Sequence, residues 1–150
     1  AARAAAAARG SGNVSFEVAD ARDLPAFADG SFDAVLLADF VEHVTDEVLV
    51  PCLAEARRLL VPGCALALYT PNLDHWAERI KAGVPGLQQE DHIAVRPSAE
   101  VVRLVSASGF AVDDLFFSAS PYPLLGALDR LFPGAALCRF RTVLRALRPS

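Results

Sequence analysis

The sequence predicts an α/β domain with a mostly parallel sheet and flanking helices. Three observations predict it. Two short, continuous apolar runs, Ala34–Ala38 and Cys64–Tyr69, are bounded by polar residues, as strands buried on both faces of a parallel sheet are. Between them, Leu53, Ala56, Leu59 and Leu60 recur at helical spacing, so strand and helix alternate. Polar side chains then gather just past the first run, at Asp39, Glu42 and His43. In open α/β sheets the ligand sits off the carboxyl ends of the strands, so a site is expected there.

Composition bounds the rest. With 150 residues, 53% of them hydrophobic and 21% charged, the chain is long and apolar enough for one domain with its own core. A net charge of −4 argues against a general nucleic-acid binder, and no apolar run reaches the length of an integral membrane segment. Cys52, Cys64 and Cys138 are widely spaced and form no CxxC pattern. Reduced, packed cysteines in a cytoplasmic protein are the expectation.

In chain order, Ala1–Ala8 is a strong helix former that begins without a cap, and Gly10-Ser-Gly12 ends it. The absence of any methionine adds to the expectation that the chain is a piece of a longer protein. Val14–Val18 alternates apolar and polar like a half-buried strand. Turn-like Arg22–Pro25 and Ala28–Ser31 precede the second strand, Phe32–Asp39. Thr45 and Asp46 offer caps for a helix to Leu60, whose regular part should start near Pro51, with Glu55, Arg57 and Arg58 facing solvent. Pro62-Gly63 should end it and Cys64–Tyr69 form the next strand, left through Thr70-Pro71-Asn72. Residues 73–97 read as a largely irregular excursion with a short helix to Lys81, the kind of segment that serves as a lid. Ser98 should cap a helix ended by Gly109, and Phe110–Ala119 should be a strand. Leu124–Phe132 reads as a short helix, and Leu137–Leu147 as a strand or a helix. Its arginines would be the basic outer face of that element or a contact for an anionic membrane surface.

Several of these stretches together resemble a family. Val14–Pro25 with Asp20, Asp29-Gly-Ser-Phe-Asp33, Glu42-His-Val44, Arg57–Gly63, Tyr69-Thr-Pro-Asn72, Asp91-His-Ile93 and Ser108-Gly-Phe110 follow the order and spacing of class I S-adenosylmethionine-dependent methyltransferases. The resemblance covers residues 10–118 or so. It implies a Rossmann-like sheet of which Val14–Asp20 is the third strand, Phe32–Asp39 the fourth, Cys64–Tyr69 the fifth and Phe110–Ala119 the sixth. It also implies that residues 1–150 are the carboxyl-terminal two-thirds of a single methyltransferase domain, incomplete because the first two strands are missing, with 73–97 as the acceptor-side loop. The family's glycine-rich cofactor loop would precede this chain, and no GxGxG run occurs in it. A chain lacking the two strands between the third and fourth would leave exposed sheet edges, be poorly stable alone and bind cofactor poorly.

By the same resemblance the cofactor is S-adenosyl-L-methionine and the partner a small-molecule acceptor methylated on oxygen, nitrogen or carbon. Asp20 and Ala21 match the positions that hold adenine, and Asp39 one lining the cofactor pocket. His43 and His92 are the candidate catalytic residues, to orient or deprotonate the acceptor. Each has a plainer alternative: Asp20 capping its turn, Asp39 and Glu42 satisfying loop backbone, His43 packing under the next helix, His92 a solvated loop residue. Asp39, Glu42 and His43 resemble an acid-x-x-Glu-His group proposed to hold a divalent cation in some ubiquinone-pathway O-methyltransferases, but no metal is assigned here. Trp76, Tyr69 and Tyr122 are either pocket-lining or packing residues. A different class of function, a degenerate methyltransferase-like binding module without catalysis, is the alternative to the enzyme.

Overall fold

The structure, a computed structural model, describes residues 13–87, 89–118 and 141–149. The expected helices at Ala1–Ala8 and Leu124–Phe132, the turn at Gly10–Gly12, and Tyr122 and Cys138 lie outside the described residues. The elements are β1 (Phe32–Ala38), a 3-10 turn (Val41–His43), α1 (Asp46–Leu59), β2 (Leu60–Pro71), α2 (Trp76–Gly83), α3 (Ser98–Ala107), β3 (Ala111–Ser118) and β4 (Arg141–Leu147).

The sheet order is β1-β2-β4-β3. β1 pairs with β2 in parallel, and β4 runs antiparallel to both β2 and β3. Three strands therefore share one direction and a single reversed strand sits between two of them. Arg141–Leu147 is thus a strand, one of the two alternatives for Leu137–Leu147; residues 137–140 lie outside the described residues.

Alternation along the strands sets the core. Val35 and Leu37 of β1, Leu66 and Leu68 of β2, and Leu144 and Ala146 of β4 pack with Leu49, Leu53 and Ala56 of α1 and Val101, Leu104 and Val105 of α3. Leu36, between two inward residues, is 67% exposed. The expectation that the first apolar run is buried on both faces is therefore corrected: α1 and α3 share one core on one face of the sheet.

Other boundaries shift for physical reasons. Val14–Val18 is no strand, and Val18 is wholly exposed, because no neighbouring strand among the described residues offers it a ladder. α1 starts at Asp46, not near Pro51, which lies inside it. The N–H that proline lacks would have bonded the Glu47 carbonyl; Pro51 and Glu47 are both exposed, so water can serve that carbonyl instead. Pro62-Gly63 does not separate α1 from a strand, for β2 begins at Leu60 and runs through it. Gly63, at φ +83°, absorbs a register shift, and its N–H donates to the Arg148 carbonyl at 2.8 Å, so the ladder to β4 continues. The basic end is built into the sheet: Arg145 pairs with Asp113 and Arg148 donates to the Leu60 carbonyl.

Ser98 is the first residue of α3 rather than its cap. The capping acceptor comes from 24 residues away: the Asp74 carboxylate accepts from the Ser98 N–H at 3.0 Å and its hydroxyl at 2.7 Å. A carboxylate at a helix N-terminus meets both the unbonded N–H groups and the helix dipole. No helix among the described residues is long and apolar enough to cross a membrane.

Candidate functional site

The site is built at the carboxyl ends of β1 and β2. β1 leaves the sheet through Asp39, a non-glycine residue at φ +46°. Aspartate tolerates this left-handed conformation better than most side chains, and such outliers concentrate at functional sites. The Asp39 N–H donates to the Tyr69 carbonyl at 2.9 Å, which ties the turn to β2. The chain then enters the 3-10 turn, so Glu42 points inward and His43 outward.

Glu42 is fully buried. Its carboxylate accepts from the Thr70 hydroxyl of β2 at 2.9 Å, and its carbonyl accepts from the Ala94 N–H at 3.0 Å. The turn is thereby fastened to the sheet and to the 89–97 loop. That loop brings His92 to His43, their rings meeting edge to face with centroids 4.9 Å apart. The His43 Nδ1 lies 2.8 Å from the Asp91 carbonyl oxygen and 3.6 Å from the Asp91 carboxylate. A carbonyl only accepts, so Nδ1 carries the proton, and in the neutral ring Nε2 presents a lone pair. An imidazole oriented through one nitrogen and basic at the other is the arrangement a general base requires. His43 is thus not simply packed under a helix; its side chain is 30% exposed.

Donor atoms of Glu42, His43 and His92 lie within 4.8 Å of one another. A carboxylate with two imidazoles is a donor set compatible with a divalent cation. It differs from the set read in the sequence, because His92 stands in it where Asp39 was.

His75, which sequence reasoning passed over, is fully buried and caps α2 with Nδ1, which accepts from the Ala77 N–H at 3.2 Å. Its tautomer is therefore the reverse of that at His43. The Trp76 indole sits against the His75 ring, centroids 5.7 Å apart. Beside them, a cleft of about 760 Å³ opens between α2 and the start of α3, lined by Leu73, Asp74, Arg79, Gly83, Pro97 and Ser98.

Asp20 and Ala21 sit on a second loop, held against α1. Arg22 donates to the Asp20 carboxylate through Nε and Nη2, and its backbone N–H adds a bond at 3.0 Å. The Arg22 guanidinium holds the Asp20 carboxyl down at about 2. Asp20 thus caps its turn, while Ala21 is exposed beside it.

The loop's attachment was missed in the sequence. Glu55 and Arg58, expected to face solvent, pin it to α1. The Glu55 carboxylate accepts from the Leu24 N–H at 2.8 Å and from Arg58 at 2.7 Å. Arg58 also donates to the Phe27 and Leu24 carbonyls and to Asp29. Arg58 holds the Glu55 carboxyl at about 2, and the two carboxylates raise Arg58 in turn. Phe27 then packs edge to face on Phe32 of β1, centroids 5.2 Å apart. The signal available was Glu55 and Arg58 three residues apart on one helix face. Cys52, read as packed, is 4% exposed, and burial pushes its thiol up.

Residues 1–68 match the family model of the methyltransferase domain. No curated protein matches the chain. Solved structures with a similar fold include a protein from Pyrococcus horikoshii OT3, 21% identical with a TM-score of 0.71, covering 98% of this chain and 65% of its own. The cyclase SpnF is 19% identical with a TM-score of 0.69, covering 97% of this chain and 61% of its own. A S-adenosylmethionine-dependent methyltransferase from Methanosarcina mazei is 19% identical with a TM-score of 0.63, covering 89% of this chain and 66% of its own. The chain thus spans under two-thirds of the length of these structures. Residues 1–68 are thus similar to the methyltransferase domain family, and the fold as a whole is similar to that of these solved structures.

Proposed function

We propose that this chain is the carboxyl-terminal two-thirds of a methyltransferase domain that moves a methyl group from S-adenosylmethionine to an oxygen, nitrogen or carbon of a small-molecule acceptor. The observation that carries this reading is the oriented imidazole of His43 at the end of β1, with His92 against it. The sulfonium of the cofactor supplies an electrophilic methyl group. The chain's own residues supply position and a proton acceptor. His43 Nε2 takes the acceptor's proton while the Asp91 carbonyl holds the ring, and His92 orients the acceptor. The cleft beside α2 and residues 73–97 form the acceptor side.

Asp20 and Ala21 suit an adenine edge. A carboxylate accepts from the exocyclic amine and an exposed backbone N–H donates to a ring nitrogen. Asp39 lines the pocket between them and the histidines. Free thiols at Cys52 and Cys64 support a reducing, cytoplasmic setting. A degenerate module without catalysis has less support, because a module that only binds has no use for an oriented base. The reaction is not given by the fold, since SpnF is a cyclase.

Methyl-labelled S-adenosylmethionine, offered with a panel of phenols, amines and carbon acids to an amino-terminally extended protein, tests the reading. Label should move to one acceptor class, and His43→Ala should slow transfer by roughly 100-fold or more. No transfer to any acceptor, or full transfer by His43→Ala, contradicts it.

A further inference from the structure

We infer that Arg96 is the positioning residue that brings His43 and His92 into one site. The inference rests on the proposed role of these histidines. The two come from segments about 50 residues apart in sequence, the 41–44 turn and the 89–97 loop. Arg96 is 7% exposed and lies between them. From one side, Nη1 donates to the Val41 carbonyl at 2.6 Å and Nη2 to the Val44 carbonyl at 2.8 Å. These two carbonyls bracket Glu42 and His43. From the other side, Nη1 donates to the Ala94 carbonyl at 3.0 Å, two residues past His92. Nε and Nη2 both bond one oxygen of Asp46, at 3.0 and 2.7 Å, which fixes the plane of the guanidinium at the start of α1.

The geometry follows from the side chain. A guanidinium presents five donors in a rigid plane, and Arg96 spends them on three carbonyls and a carboxylate from three segments. Lysine, with a single nitrogen and three donors, cannot span the same acceptors. The Ala94 N–H to Glu42 carbonyl bond closes the same junction from the backbone. Asp46 is itself 46% exposed, so its role is to orient Arg96 rather than to be neutralised.

Three histidines make the test tractable. Ring-labelled, amino-terminally extended protein should give a ring-to-ring nuclear Overhauser effect between His43 and His92. In Arg96→Lys that signal should vanish while the buried His75 keeps its resonances, which reports that the fold survives. In Asp46→Asn the signal should persist, because the carbonyl bonds remain. A second measurement needs no variant: the Arg96 Nη protons of the unaltered protein should be resolved and protected from exchange. In the transfer assay, Arg96→Lys should lower kcat roughly 10- to 100-fold, with KM for S-adenosylmethionine unchanged. Persistence of the histidine contact in Arg96→Lys, or a single averaged Nη signal, overturns the inference. If wild-type protein transfers no methyl group yet the histidine contact depends on Arg96, the proposed function fails and the positioning role stands.

Discussion

Two loops of the molecule are each held by an arginine, in opposite ways. The 20–30 loop hangs on Arg58, which is 30% exposed and shared between two carboxylates, Glu55 and Asp29, and two carbonyls. The 89–97 loop and the 41–44 turn hang on buried Arg96, which has one carboxylate and three carbonyls. The first attachment is mainly charge against charge, from a partly exposed guanidinium to one buried and one exposed carboxylate, the kind that acid weakens. The second is mainly a buried donor against carbonyls that do not titrate, where loss strands acceptors away from water. The two attachments should therefore differ in their response to acid, the 20–30 loop loosening before the histidine junction does.

The largest effect should come from removing the buried arginine. Arg96→Ala leaves three carbonyls short of a donor, at about 1 kcal/mol each, so urea unfolding should show a loss of about 3 kcal/mol. Gly109 comes next. It sits at φ +86°, and a Cβ there would lie 2.9 Å from the Arg57 Nε that donates to its carbonyl. Gly109→Ala should cost about 1–2 kcal/mol in the same measurement, from the left-handed backbone alone. Arg58→Ala should cost less than Arg96→Ala, since Arg58 is partly exposed, but should free the 20–30 loop to amide exchange. A loss at Arg58 larger than at Arg96 would reverse the comparison.

Acid should separate the two loops without mutation. The folded-state carboxyl of Glu55 lies at about 2, below its usual 4.5, and that of Asp20 at about 2, below 3.8. A depressed carboxylate contributes stability that is whole above the unfolded value and is lost as pH falls through the folded one. Amide exchange across residues 20–30 should therefore rise as pH drops from about 4.5 towards 2, once corrected for intrinsic rates, and Arg58→Ala should flatten that rise. Loosening of 20–30 that is independent of pH would contradict the assignment. The smallest expected effect is that of chelation, which should leave S-adenosylhomocysteine affinity unchanged.

The same contrast explains what could be read from the sequence. β1, β2 and the excursion at 73–97 were legible because apolar runs and helix-breaking residues are local signals. Asp39, His43 and His92 were legible as candidates because strand ends carry ligands and imidazoles carry protons. Their juxtaposition was not, since a contact between residues 43 and 92 depends on Arg96, whose pattern in sequence is that of any charged residue before a proline. The clasp of Glu55 and Arg58 was misread as a solvated helix face because the loop that covers it has no periodicity. The start of α1 was misplaced because Pro51 is tolerated in an exposed second turn.

The most direct measurement is calorimetric titration of S-adenosylhomocysteine into the 150-residue chain and into an amino-terminally extended one. The proposed function predicts micromolar binding in the extended chain and much weaker binding in the short one, since Asp20, Ala21 and Asp39 would supply only part of the cofactor's contacts. Binding to neither would contradict methyl transfer and favour the non-catalytic module. Equal binding to both would contradict the reading of these residues as one share of a larger cofactor site.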